Sequence, residues 1–180
     1  MASFQVWLVG LLEQQNPVAD LMRTAWAWPI MESLHFIGLS LLIGSIGVFD
    51  LRLLGIGKRI PIAALHRLVP WGILGWIVSI STGATFLLTD ANQYIYNPAF
   101  QLKMVAMAIL GINAGMFYLT SYRQILGGNA GMEAPGRAKI IAAISLSLWI
   151  TVIACGRMIT FYRPAECGPA GPGTIAQCVP

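Results

Sequence analysis

The sequence predicts an all-α integral membrane protein, an antiparallel bundle of four transmembrane helices with short interfacial helices at its N-terminal end. Three observations carry that prediction. Charged residues are only 10% of the 180-residue chain and hydrophobic ones 57%, whereas a soluble domain carries about 25% charged residues; with a mean hydropathy of +0.71, the chain has too few charges to cover a water-facing surface. Four apolar segments reach the ~20 residues that cross a bilayer: Pro29 to Leu53, Ile62 to Leu88, Pro98 to Ile125 and Ala138 to Tyr162. Short loops join them, so neighbours run antiparallel and a four-helix bundle is the simplest packing.

Residues 1–28 precede the first span. The opening MASFQVWLVGLLEQQ has no basic n-region and no small-residue cleavage site, so it is not expected to act as a signal peptide. Phe4, Trp7, Leu8 and Leu11 recur at helical spacing, as do Val18, Leu21, Met22 and Ala25 after Asn16-Pro17. They predict two short helices lying on the outer surface, with Trp26 and Trp28 in the aromatic belt at the mouth of the first span. Residues 29–162 form the transmembrane domain. Residues 163–180 form an outer tail in which Cys167 and Cys178 flank GPAGPGTIAQ. A disulfide between them is expected, because the outer side of a bacterial membrane permits oxidation and the enclosed loop has no core of its own.

The basic residues set the direction. Arg52, Lys58, Arg59, Arg67, Arg123, Arg137 and Lys139 fall on one side, and Arg23, Lys103, Arg157 and Arg163 on the other. Seven against four puts both basic loops in the cytoplasm and both termini outside a bacterial inner membrane. The net charge of +4 follows from this topology, and no nucleic-acid partner is expected.

Ionisable groups inside spans point to function. In WPIMESLHFIGLSLLIGSIGVFDLRLLG, residues Glu32, His35, Leu39, Leu42, Ile46, Phe49 and Asp50 share one helical stripe, which is expected to face the bundle interior. No span is conspicuously broken and no inverted repeat is visible. The other histidine, His66, sits in IAALHRLVPWG near the start of the second span. Two histidines, both in membrane helices, suggest axial haem ligation. By rise per residue, His35 lies about 9 Å below one boundary and His66 about 6 Å above the other, leaving ~15 Å between them across a ~30 Å core. One iron cannot take both, so two haem b groups per chain are expected, one near each surface and each with a single histidine. The plain alternative is a His35 that hydrogen-bonds Glu32 or a lipid headgroup.

Around His35 the sequence brings Met31, Glu32, Lys103, Met104, Met107, Cys155, Arg157 and Met158 to one level. Thioether or thiolate from Met104, Met158 or Cys155 suits a further haem ligand or a copper ion, and Lys103, Arg157 and Arg163 suit haem propionates. Around His66 lie Asp50, Arg52, Arg67, Asn113, Met116, Tyr118 and Tyr122, with Arg52, Arg59 and Arg67 as propionate partners. Gly38, Ser45, Gly75, Ser79, Gly83, Gly111, Gly115, Ser147 and Thr151 leave room for a flat macrocycle, although small residues also mediate plain helix contact in membranes. There is no Gly-rich phosphate loop, no paired-Cys zinc spacing and no Ser/His/Asp set, which argues against a nucleotide enzyme or a hydrolase.

The strings ESLHFIGLSLLIGSIGVFDLRLLG, LHRLVPWGILGW, STGATFL and NPAFQLKMVAMAILGINAGMFY resemble a family of small bacterial four-helix membrane proteins of unknown function, over about residues 28–160. The architecture also resembles small membrane b-type cytochromes, which hold each haem between paired histidines; this chain has only two histidines, so that pairing does not carry over. The leading functional expectation is a dihaem cytochrome that carries electrons within or across the membrane, with a quinone as one possible redox partner. The alternatives are an ion or proton transporter using Glu32, His35, Asp50 and Lys103, and a structural subunit without cofactor. A cyclic homo-oligomer, for instance a pentamer, is compatible with each.

Overall fold

A computed structural model describes residues 2–13, 17–126 and 132–161. Among these there is no strand. The expected disulfide between Cys167 and Cys178, the tail around it and Arg163 lie outside the described residues. The helices are α1 (Ala2–Glu13), α2 (Pro17–Met22), α3 (Ala27–Leu53), α4 (Ile62–His66), α5 (Val69–Thr89), α6 (Ala91–Ile95), α7 (Pro98–Thr120), α8 (Tyr122–Leu126) and α9 (Gly136–Met158). Four segments are long and apolar enough to cross a membrane: α3, the run Ile62–Thr89, α7 and α9.

Local chemistry sets the boundaries. Asn97 starts α7: its side-chain oxygen accepts from the Ala99 amide at 2.9 Å, and Pro98 follows at the first helical position, where no amide is needed. The same side chain donates through Nδ2 to the Ile159 carbonyl at 3.0 Å, so one buried residue begins α7 and ties down the end of α9. After α3 the chain turns through Gly55 and Gly57, whose φ values of 102° and 71° suit glycine. The second apolar segment is interrupted, contrary to its sequence reading. Pro70 has no amide hydrogen and its ring crowds the carbonyl of residue 66. The chain therefore tightens at Arg67 and Leu68, where the Leu68 amide bonds back to Leu65 at 2.9 Å. His66 thus ends one short helix just before the long one begins.

Helix packing is uneven. α3 packs closely along α5, α7 along α9, and α3 less extensively along α9, whereas α5 and α7 do not pack face to face. The α3–α5 contact is backbone to backbone. A Cβ at Gly75 would lie 2.5 Å from the Gly38 carbonyl oxygen and 2.6 Å from the Leu42 nitrogen, and one at Gly38 would lie 2.7 Å from Ser79 Oγ. α7 and α9 are joined within the apolar layer by Asn113, whose Nδ2 donates to the Ile141 carbonyl at 3.0 Å. Near one end, Phe49, Leu53, Leu65, Phe117 and Ile125 form the largest buried cluster. Near the other, α1 packs on α6 through Val9, Ala91 and Ile95.

Arg52 organises the loops beside the larger cluster. It is 1% exposed and donates to the carbonyls of Ile60 (2.7 Å), Lys58 (3.1 Å) and Met132 (3.3 Å), fastening the α3–α4 loop to the segment before α9. On the surface, Glu133 bonds Lys58 and, at 3.1 Å, Lys139. The Lys58 and Lys139 ammonium groups hold its carboxyl at about 2, well below the ordinary 4.5.

Two outcomes follow from these contacts. Gly75→Ala should destabilise the protein by roughly 1–3 kcal/mol through overpacking, while Gly111→Ala, whose Cβ meets nothing within 4 Å, should leave stability unchanged; denaturant unfolding in detergent micelles compares them. The depressed Glu133 carboxyl contributes stability that is complete above its unfolded value and lost as pH falls from 4.5 toward 2. Glu133→Gln should therefore flatten the stability–pH curve in that window, and high salt should shrink the difference because the pairs are exposed.

Candidate functional site

The first polar centre lies between α3 and α5. His35 Nδ1 is 2.8 Å from Thr82 Oγ1. The threonine hydroxyl donates to the Val78 carbonyl at 2.7 Å, so it accepts from the imidazole. The Ser79 carbonyl, which can only accept, interacts with the same ring. The proton is therefore assigned to Nδ1, and Nε2 keeps its lone pair with no hydrogen-bond partner among the described residues. Phe86 packs edge-on against the ring, with centroids 5.8 Å apart. Gly83 lies alongside, where an added Cβ would sit 3.6 Å from Cε1.

Lys103, half-buried on α7, is close enough for its charge to act on His35 and lies beside Cys155 and Gly156 of α9. Cys155 is a buried free thiol. These three expected residues converge. Met104, Arg157 and Met158 do not: all are exposed, as their positions on α7 and α9 turn them outward. Glu32 is also exposed, so the stripe it shares with His35 does not carry it inward. It acts instead at the α6 end of the fold, where Tyr94 is pushed up to about 12 by burial first, then by the charges of Asp90 and Glu32.

The second centre surrounds His66. Its ring packs against Phe49, Tyr118 and Tyr122, with centroids 6.0, 6.3 and 5.1 Å apart. Its Nε2 is buried and has no hydrogen-bond partner among the described residues. Arg52 is engaged with loop carbonyls, although its Nη1 is also buried without a partner. Arg67 is exposed. Thr82 lies sixteen residues beyond His66, which at 1.5 Å per residue separates the two histidine levels by roughly 24 Å, more than the boundary argument gives.

Beside His66 a cavity of about 500 Å³ opens among α3, α5, α7 and α9, within the range of small-molecule sites. Phe49 and Tyr118 stand between it and the histidine ring. Gly111 lines the cavity and has no side-chain neighbour; Gly38 and Gly75, by contrast, are closed against each other. Asp50 and Trp149 also line it. Among the described residues, no three His, Cys, Asp or Glu side chains gather as a metal cage.

The profile of DUF6644, a family of unknown function, matches residues 26–162. The chain belongs to this family. No curated protein and no solved structure matches it. The match covers α3 through α9, so both histidine centres and the cavity lie within the DUF6644 region.

Sequence reasoning found both histidines, Lys103, Cys155 and Asp50 but not their partners. Thr82 lies in STGATFL, and its role depends on which helix faces α3. Trp149 had one usable signal: it stands in mid-span, where tryptophan is unusual compared with the interfacial belts.

Both imidazoles thus carry a nitrogen free of partners among the described residues, the property an axial ligand needs. Thr82→Val should leave His35 Nδ1 without its acceptor and cost about 1–3 kcal/mol, with Thr82→Ser restoring the loss; unfolding of the three proteins in one detergent compares them.

Proposed function

We propose that this DUF6644 protein is a membrane b-type cytochrome with two haems per chain, His35 anchoring one and His66 the other. It would carry electrons within or across a bacterial inner membrane, as an antiparallel four-helix bundle with both termini outside. The observation that carries this reading is the pair of unpartnered imidazole nitrogens. The His66 nitrogen is buried; a buried nitrogen left without a hydrogen bond costs about 1–3 kcal/mol, and in an apolar layer no bulk water offsets it. A ligand bond would.

The surrounding residues suit that role. Thr82 accepts from His35 Nδ1 and so fixes its tautomer, leaving Nε2 as the nitrogen with a free lone pair. Lys103 offers a cation for a propionate near His35. Phe49, Tyr118 and Tyr122 hold the His66 ring by packing and keep water from it. Haem, when bound, supplies a one-electron centre at each level. The roughly 24 Å between levels favours separate irons over one shared iron.

Oxidised and reduced visible spectra of the purified protein, with a pyridine haemochrome count, test this. Two haems per chain are expected, with His35→Ala and His66→Ala each losing one and Thr82→Val keeping both with an altered reduction potential. A colourless protein after expression with added haem, or full haem in both histidine variants, overturns the assignment.

A further inference from the structure

The cavity carries polar groups that neither the helix packing nor the histidines use. Asp50 is 5% exposed. Ser145 of α9 lies beside its carboxylate, and Oδ2 is buried with no partner among the described residues. Trp149 Nε1 is likewise buried without a partner. Both residues line the cavity. Ser145 and Trp149 are four residues apart on α9, hence on one face and about 6 Å apart along the axis. Two residues that border one cavity therefore each hold a polar atom that the fold covers but leaves unpaired.

The rest of the wall is apolar and aromatic. Phe49, Trp76, Phe117 and Tyr118 supply ring faces, and Gly72 and Gly111 leave room. The mouth follows from the packing: α5 and α7 do not close on each other, and Ile73, Trp76, Met104 and Tyr118 at the rim are exposed. In a membrane such an opening faces lipid, so the ligand enters from the bilayer.

We propose that this cavity binds a lipid-soluble aromatic diol of the quinol class, one hydroxyl donating to Asp50 Oδ2 and an oxygen accepting from Trp149 Nε1. A quinol carries hydroxyls that can both donate and accept, which matches in kind an unpaired acceptor on Asp50 and an unpaired donor on Trp149. A haem propionate fits poorly here, because an unpaired aspartate would face a second carboxylate. A bare acyl chain would leave both polar atoms unsatisfied. The site stands on these groups alone and does not rest on the histidines holding iron.

Saturation binding of labelled decylubiquinol, kept reduced under argon, to full-length protein in nanodiscs, corrected for empty nanodiscs, tests it. One saturable site per chain is expected. Trp149→Phe should weaken binding about fivefold and Asp50→Ala tenfold or more. Gly111→Leu, which projects into open space, should abolish binding without lowering the melting temperature. The oxidised quinone, lacking a donor for Asp50, should bind at least tenfold more weakly. Binding no greater than in empty nanodiscs, undiminished binding to folded Gly111→Leu, or equal affinity for quinone and quinol overturns the proposal. A haemochrome count on the same samples separates this result from the cytochrome reading, since colourless protein that binds quinol would retain this site and reject the haems.

Discussion

The contact on which the rest of the structure depends is the approach of α3 to α5 at Gly38 and Gly75. With no side chain at either position, the two backbones come within a distance that a Cβ would violate, and Ser79 and Gly72 extend the seam. Lipid tails are as apolar as leucine, so helices in a membrane gain little by merely hiding apolar surface from one another. They associate through close packing and hydrogen bonds. The seam supplies the first and commits α5 to α3. Asn113 and Asn97, each donating to a carbonyl of the α9 segment or its end, supply the second and commit α7 to α9. Nothing comparable joins α5 to α7, and the cavity is the space those two commitments leave.

The apolar layer also sorts its polar groups. His35 with Thr82, and Asn113 with the Ile141 carbonyl, pair locally. The buried atoms without partners are on Asp50, Arg52 and His66 at the other level, on Trp149 in mid-span and on Ser79 in the seam. A single unsatisfied atom is an ordinary imperfection. Two of them, on Asp50 and Trp149, belong to residues that line one cavity, a polar lining that the fold does not use for itself, as expected of a ligand site. Arg52 stands apart from this group: its remaining nitrogens hold the loops together, which gives it a structural task that the count of basic residues could not reveal.

Hydropathy and length made the four long segments legible, because a run of ~20 apolar residues has few alternatives. The interruption of the second one was also written in the sequence, at Pro70, but a proline near a helix start reads equally well as a permitted first-turn residue. Small residues were less legible. Gly75 and Gly111 look alike in the chain, yet one closes a seam and the other opens a cavity, and only the choice of facing helix separates them. The same holds for Glu32 and Asp50. Both fall on one stripe, but Glu32 is near the beginning of α3, beyond its deepest contacts, while Asp50 meets Ser145 on α9. Helical periodicity assigns a side, whereas burial depends on what covers that side.

The two histidine levels differ in how their rings are held, and this bears on what each can do. His35 is oriented by a directed hydrogen bond, which fixes its tautomer and raises the basicity of the opposite nitrogen as a ligand. His66 is oriented by three aromatic rings, which fix its plane without directing a proton. Any group bound at these positions would therefore meet different donors in different surroundings. Lys103 brings a basic group to the His35 level, whereas at the other level Phe49 and Tyr118 separate the His66 ring from the cavity that Asp50 lines. Two residues of one type thus stand in chemically different surroundings, set by which helices cover them and not by the residue itself.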